Sequence, residues 1–425
     1  SYEVVNNSGS DDAGELFFIG RSIDAASGEP RGTGDAASGF DKRVPLTPEQ
    51  CVRLMDTYAE IEVVVQSSSV RCFSDNMYAV KGVSIVNDLS DCDVLFGVKE
   101  VPKEFLIANK TYFYFAHIIK CQPYNRSLLL RMIELNIKMI DYEVLKDQSG
   151  KRILGFGEYA GVVGSYNTFL TYGLKSGKYK LKPAYKCDNR VELEAELSKI
   201  ELVNEKIVIT GKGRVGNGVL EIVRKLNIRQ VSKLDFINNH FNEPVFVHLD
   251  SMDYNVRIDG LSLGKKDFYA NPELYSSSFM QYAEKADIFI AGHFYSSGSP
   301  YLFTKKDAKA SDFKIKVIGD ISCDIDGPVP TTIRSSSILD PIYGYNVITC
   351  EEDDYRKEKV IAVMAVDNLP CELPIDSSEY FGNELLNKVL PLLIRGDEII
   401  NKATICKNGD LTPYFEHLRD YVEGN

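Results

Sequence analysis

Apolar and polar positions follow two periods along this chain. Short runs of apolar, β-branched or aromatic residues recur at 16–19, 61–66, 83–86, 94–98, 112–116, 137–140, 207–210, 243–250, 286–291, 315–318 and 360–366. Between many of them the apolar residues take the three-to-four spacing of a helix face. Leu128, Leu129, Met132 and Ile133 form one such face, and Val215, Val219, Ile222, Val223 and Leu226 another. Continuous apolar strands are buried on both faces, and strands alternating with helices assemble into parallel sheets. The pattern therefore predicts an α/β protein.

Local signals sharpen these elements. Thr47-Pro48-Glu49-Gln50 starts a helix, with Thr47 as N-cap and Pro48 at the first helical position. Residues 155–161 open another helix, the crossover into a second domain. A basic connection at 178–190 and a charged helix at 191–200 come next. A helix over 268–285 with an Asn271-Pro272 start, and a C-terminal helix over 377–394 returning to the first domain, complete the set. Residues 1–15 are polar and read as a disordered lead. Residues 22–39, rich in Gly, Ala, Ser and Asp, read as a long loop or insertion.

At 425 residues the chain exceeds what one core usually supports, so two domains are expected. The first comprises 1–158 completed by 347–425, and the second 159–346. The net charge of −12 argues against a nucleic-acid partner, and no apolar run reaches the length of a membrane span. The N-terminus lacks the basic and apolar regions of a signal peptide. Nine scattered cysteines without CxxC spacing read as reduced thiols of a cytoplasmic protein. The five histidines form no metal-ligand pair, so no metal is expected.

The most informative stretch is Gly211-Lys212-Gly213-Arg214-Val215-Gly216, a GxGxxG turn between the strand at 207–210 and a predicted helix. In that context the motif reads as a dinucleotide site. Gly211 allows the tight turn, Gly213 lets the backbone approach a pyrophosphate, and Gly216 lets the helix pack on its strand. The free N–H groups of the helix opening at Arg214 and Val215 hold the phosphates. Cofactor choice depends on an acid at the end of the second strand, which bonds the ribose 2′-hydroxyl. Asp235 has nearly the usual spacing but sits in a loop or helical turn, so Asp250, ending a clear strand, is preferred. NAD is the expected cofactor, with NADP as the alternative and Arg257 as the residue that would welcome a 2′-phosphate.

Other residues with chemical potential sit at strand ends, where parallel sheets place ligands. Lys99 and Glu100 follow one strand, His117 ends the next, and Glu143 follows a third. Asp320 and Asp324, and separately Asp367, follow later strands, and Arg43 precedes the capped helix. Each residue alone also has an ordinary reading as a surface charge, a cap or a structural group.

Their order changes the picture. Asp41-Lys-Arg-Val-Pro-Leu-Thr-Pro48, Leu95-Phe-Gly-Val-Lys-Glu100, Tyr114-Phe-Ala-His117 with Gln122, Ile140-Asp-Tyr-Glu143, Gly155-Phe-Gly-Glu-Tyr-Ala-Gly161, Asp320-Ile-Ser-Cys-Asp324 and Asp367-Asn-Leu-Pro370 with Ser378-Glu-Tyr-Phe-Gly382 occur in sequence. Together they resemble the saccharopine dehydrogenase (lysine-forming) and lysine-ketoglutarate reductase family, itself related to alanine dehydrogenase. The resemblance implies two Rossmann-like domains with a cleft between them and a pyridine-nucleotide oxidoreductase acting on a secondary amine. The substrates it implies are saccharopine, or lysine with 2-oxoglutarate; other amino-acid dehydrogenases and a non-catalytic nucleotide sensor remain alternatives, and an oligomer is allowed. It further implies that Lys99 and His117 handle protons, and that Arg43, Gln122, Glu100, Glu143 and Asp367 lie around the substrate. Asp324 matches an aspartate of the alanine dehydrogenases, on the cofactor side. Two departures stand out: the 22–39 loop lacks the second lysine usual before Arg43, and Val215 stands where some members have Cys.

Overall fold

The computed structural model describes residues 15–18, 41–295, 298–325 and 327–424, so the 22–39 insertion and most of the polar lead lie outside the described residues. The chain forms two compact units, residues 1–156 with 374–425 and residues 157–373. The expectation of an α/β protein with parallel sheets is borne out in both.

The first unit is an eight-stranded sheet whose central strands run parallel. From one edge its order is Asp410–Leu411, Thr404–Lys407, Lys138–Asp141, Thr111–Phe115, Val94–Lys99, Glu15–Phe18, Glu62–Gln66 and Ser84–Val86. The first two are antiparallel additions, and the others are mutually parallel. Burial on both faces explains the apolar runs: Val94 to Val98 are all buried, and the Phe96 and Phe113 rings stack at 4.7 Å across neighbouring strands. Helix Pro48–Thr57 begins as expected, with Thr47 and Gln50 forming a capping box. Helix Pro374–Glu384 returns to pack on it. Its Gly382 leaves no room for a β-carbon, which would stand 2.0 Å from Gln50 Oε1, and Gln50 Nε2 donates to the Glu379 carbonyl at 2.8 Å. Ser378 Oγ accepts the Val44 N–H at 2.9 Å. The Ser378-to-Gly382 motif is thus a packing signature.

The second unit also holds an eight-stranded sheet, with a parallel core in the order Val360–Met364, Val317–Asp320, Ile288–Ala291, Lys206–Thr210 and Val245–Leu249. Helix Gly157–Ser176 is buried almost all round and crosses helix Arg214–Lys225 at backbone contact. A β-carbon at Gly161 would lie 2.0 Å from the Val215 carbonyl oxygen, and one at Gly218 1.9 Å from that of Glu158. The glycine-rich opening of the first helix therefore serves to seat the second.

Three expectations are corrected. The chain re-enters the first unit at Pro374, not near residue 347. Strand Ile342–Asn346, missed in the sequence, pairs antiparallel with Val360–Met364, and this pairing holds both in the second sheet. The helix expected over 268–285 is broken. Helix Lys265–Ala270 stops before Pro272, and strand Tyr275–Ser277 pairs with Asn255–Arg257 before a short helix at Met280–Ala283. The residue before proline is driven out of the helical region, so the α-helix ends at Asn271, and Asn271-Pro272 starts only the single 3₁₀ turn Pro272–Leu274. With the later return of the chain, Asp367 falls in the second unit, where it is exposed.

Candidate active site and nucleotide turn

In the first unit, three adjacent parallel strands end together. Lys99 is in register with Phe115, and Tyr114 with Asp141, so Lys99, His117 and Glu143 emerge from one edge of the sheet. His117 has a left-handed backbone, φ 54°, which turns the chain off the aromatic strand. Its Nδ1 lies 3.4 Å from Glu143 Oε2, while Glu143 Oε1 is 3.5 Å from Arg152. The approach of His117, opposed by burial and assisted by the Lys120 and Arg152 charges, holds the Glu143 carboxyl below its usual range. Glu100 is half-buried beside Lys99, and its Oε2 has no partner among the described residues.

Arg43 is buried and donates through Nε and Nη2 to the two oxygens of Asp41, at 2.8 and 2.7 Å. Its guanidinium lies 4.2 Å from the Phe156 ring centre, and Phe156 stacks on Phe381 of the returning helix at 4.5 Å. Burial would raise the Asp41 carboxyl, but Arg43 and the Lys99 ammonium bring it down to about 2. Asp41 thus ties Arg43 electrostatically to Lys99. Gln122 is exposed ahead of helix Pro123–Glu134 and its side chain makes no cap bond.

Asp141 was not singled out in the sequence. It is fully buried; its Oδ1 accepts the Glu143 N–H at 2.8 Å, and its Oδ2 has no partner among the described residues. Burial pushes its carboxyl up to about 7. The folded state therefore holds a proton that the unfolded chain releases near 3.8, and stability falls as pH rises between those values. Asp141→Asn keeps the Oδ1 acceptor and removes the charge. It should stabilise the protein by ~1–4 kcal/mol at pH 8 and change little below pH 4, as read by urea unfolding at the two pH values.

In the second unit, strand Lys206–Thr210 delivers the glycine-rich turn. Gly211 has φ +93°, and a β-carbon there would lie 2.2 Å from the Gly292 carbonyl oxygen; one at Gly216 would lie 1.8 Å from the Gly211 carbonyl oxygen. At Gly213 a β-carbon meets nothing within 4 Å. Gly213 is also the N-cap of helix Arg214–Lys225 and supplies no side-chain cap, and the first turn, which carries the half-buried Arg214 and Val215, holds no acid. Two glycines are thus demanded by packing, while the third faces an open space before uncapped N–H groups. The turn fits a dinucleotide phosphate.

Two histidines missed by the sequence reading brace this turn. His248 Nε2 donates to the Gly211 carbonyl at 2.6 Å, and burial lowers its pKa. His293 Nδ1 pairs with Thr210 Oγ1 at 2.7 Å, and burial brings it down to about 4. Their only signal was position, in or just after strands flanking Lys206–Thr210. Asp250 ends strand Val245–Leu249, which pairs directly with Lys206–Thr210. Asp235 instead sits in helix Lys233–Asn238, where Ser232 Oγ bonds its carboxylate. Arg257 is taken up by Asp259 and Asp267. Asp324 is exposed after strand Val317–Asp320, whereas Asp320 is buried and accepts from Ser322 and Thr332. The described residues hold no cluster fit for a metal ion and no helix long and apolar enough to cross a membrane.

Comparison with known proteins bears on this geometry. Residues 38–163 match the alanine dehydrogenase/PNT N-terminal domain. The chain is 26% identical to the mitochondrial alpha-aminoadipic semialdehyde synthase of Mus musculus over 440 residues, covering 91% of this chain and 47% of that protein. The resemblance read from the motifs is borne out. A second relative, the saccharopine dehydrogenase [NAD(+), L-lysine-forming] of Candida albicans, is 24% identical over 85% of this chain and 94% of its own length. The solved structure of an L-alanine dehydrogenase superposes with a TM-score of 0.61 at 15% identity, covering 96% of this chain and 99% of that one, so the two share a fold. The chain spans about half the length of the semialdehyde synthases it matches.

Proposed function

We propose that the chain is a nicotinamide-dinucleotide oxidoreductase of a secondary amine, interconverting saccharopine with L-lysine and 2-oxoglutarate. The observation that carries this reading is the shared edge of three parallel strands, where Lys99, His117 and Glu143 emerge together. The bound nicotinamide would supply hydride transfer. The chain's own part is orientation and proton handling. Lys99 and His117 are the groups that move protons at the substrate nitrogen and carbon, and Glu143 fixes the His117 ring. Arg43, braced by Asp41 and Phe156, and Gln122 hold substrate carboxylates, for which a planar guanidinium is suited. Gly211, Gly213, Arg214, Val215 and Gly216 take the pyrophosphate, with Asp324 and Asp367 belonging to the same unit. Asp250 takes the adenosine ribose; an acid there, acting alone, selects NAD over NADP.

The test is loss of reduced-nicotinamide absorbance with lysine plus 2-oxoglutarate, run beside pyruvate plus ammonia. Turnover requiring both lysine and 2-oxoglutarate supports the proposal. Turnover with pyruvate and ammonia alone makes the chain an alanine dehydrogenase-like enzyme, and nucleotide binding without turnover makes it a sensor.

A further inference from the structure

Asp250 does not act alone. Lys265 Nζ stands 2.6 Å from Asp250 Oδ2, and Ser251 Oγ donates to Oδ1 at 3.1 Å. Lys265 is the first residue of helix Lys265–Ala270, where a cation faces the unfavourable end of the helix dipole. Its placement is therefore not explained by helix stability. The Lys265 side chain is 49% exposed and the Asp250 side chain 21%, so the pair lies at the surface with the carboxylate the more buried partner. Two nearby cations have carboxylates of their own: Lys233 pairs with Asp253 at 2.5 Å, and Arg257 with Asp259 and Asp267.

We propose that Lys265 is the cofactor-specificity residue of the second unit, cancelling the repulsion of Asp250 for a 2′-phosphate so that the site accepts NADP(H) as well as NAD(H). The inference rests on the dinucleotide reading of the glycine-rich turn. A carboxylate alone at this strand end bonds a 2′-hydroxyl and rejects a 2′-phosphate. An ammonium carries three donors on a flexible stem, so Lys265 can keep one bond to Asp250 and offer another to a phosphate oxygen. A half-exposed ion pair contributes little by itself, so this rearrangement costs little. Burial acts to raise the Asp250 carboxyl, but the bond to Lys265 leaves it lowered overall. With Lys265 present the 2′-hydroxyl of NAD still finds the second carboxylate oxygen, and either cofactor is served.

The experiment is calorimetric titration of the whole chain with NADH and with NADPH, for the parent, Lys265→Ala, Lys265→Arg and Asp250→Ser. The parent should bind the two with similar affinity. Lys265→Ala should weaken NADPH by about tenfold or more, the scale of one charge-assisted hydrogen bond, and leave NADH within a few-fold. Lys265→Arg should retain NADPH, and Asp250→Ser should move the ratio further toward NADPH. A parent that rejects NADPH, or a ratio unmoved in Lys265→Ala while both nucleotides still bind, overturns the proposal and leaves the glycine-rich turn as a dinucleotide site. A parent that binds neither nucleotide overturns both.

Discussion

Gly213→Val should leave the protein folded and weaken nucleotide binding by on the order of 100-fold or more, the loss of about two charge-assisted hydrogen bonds. The reason is specific to this glycine. Its backbone, φ −90° and ψ −161°, is one that a valine adopts without strain, and its β-carbon would project into open space. The added isopropyl group therefore occupies the volume before the uncapped N–H groups of helix Arg214–Lys225 and displaces a phosphate, not the protein. Gly216→Ala is the contrasting control, because its β-carbon would stand 1.8 Å from the Gly211 carbonyl oxygen. That variant should lose stability as well as binding. Calorimetric titration with a dinucleotide, read beside a thermal melt, separates the two. Parental affinity in a folded Gly213→Val protein would remove the pyrophosphate from this turn.

The second large effect is expected at the strand edge of the first unit. Lys99→Met and His117→Gln should each lower turnover by on the order of 100-fold or more, the usual contribution of a positioned acid or base. Both residues are half-buried at the end of a sheet whose core lies behind them, so neither change opens a cavity. Dinucleotide affinity should survive in both variants, since the glycine-rich turn belongs to the second unit. Steady-state rates with lysine and 2-oxoglutarate, with nucleotide affinity measured separately, give the answer. Near-parental turnover in either variant would return that residue to a structural role, His117 as the brace of Glu143 and Lys99 as the counter-charge of Asp41.

Much of this protein was legible in its sequence, and for definite reasons. Strands buried on both faces must be apolar throughout, so the runs at 94–98, 112–116 and 207–210 announced themselves, as did the Thr47 cap and the GxGxxG turn. Parallel strands end on the same edge, so Lys99, His117 and Glu143 were expected at strand ends before any fold was known. Antiparallel additions such as Ile342–Asn346 and Thr404–Lys407 were missed, because their pairing partners lie outside any local window. The same absence of local signal misplaced Asp367, whose unit is decided by a strand pairing.

What the sequence determined by itself was therefore local: which segments are strands or helices, where they end, and which residues stand at those ends. Tertiary structure alone decided the partners. It bound Arg43 to Asp41 over Phe156, left one oxygen of the Asp141 carboxyl buried without a hydrogen-bond partner among the described residues, set His248 and His293 around the Gly211 turn, and placed Lys265 on Asp250. These are the contacts that fix charge and proton position. They join residues from separate elements, and only a packed sheet brings such residues within a few ångströms.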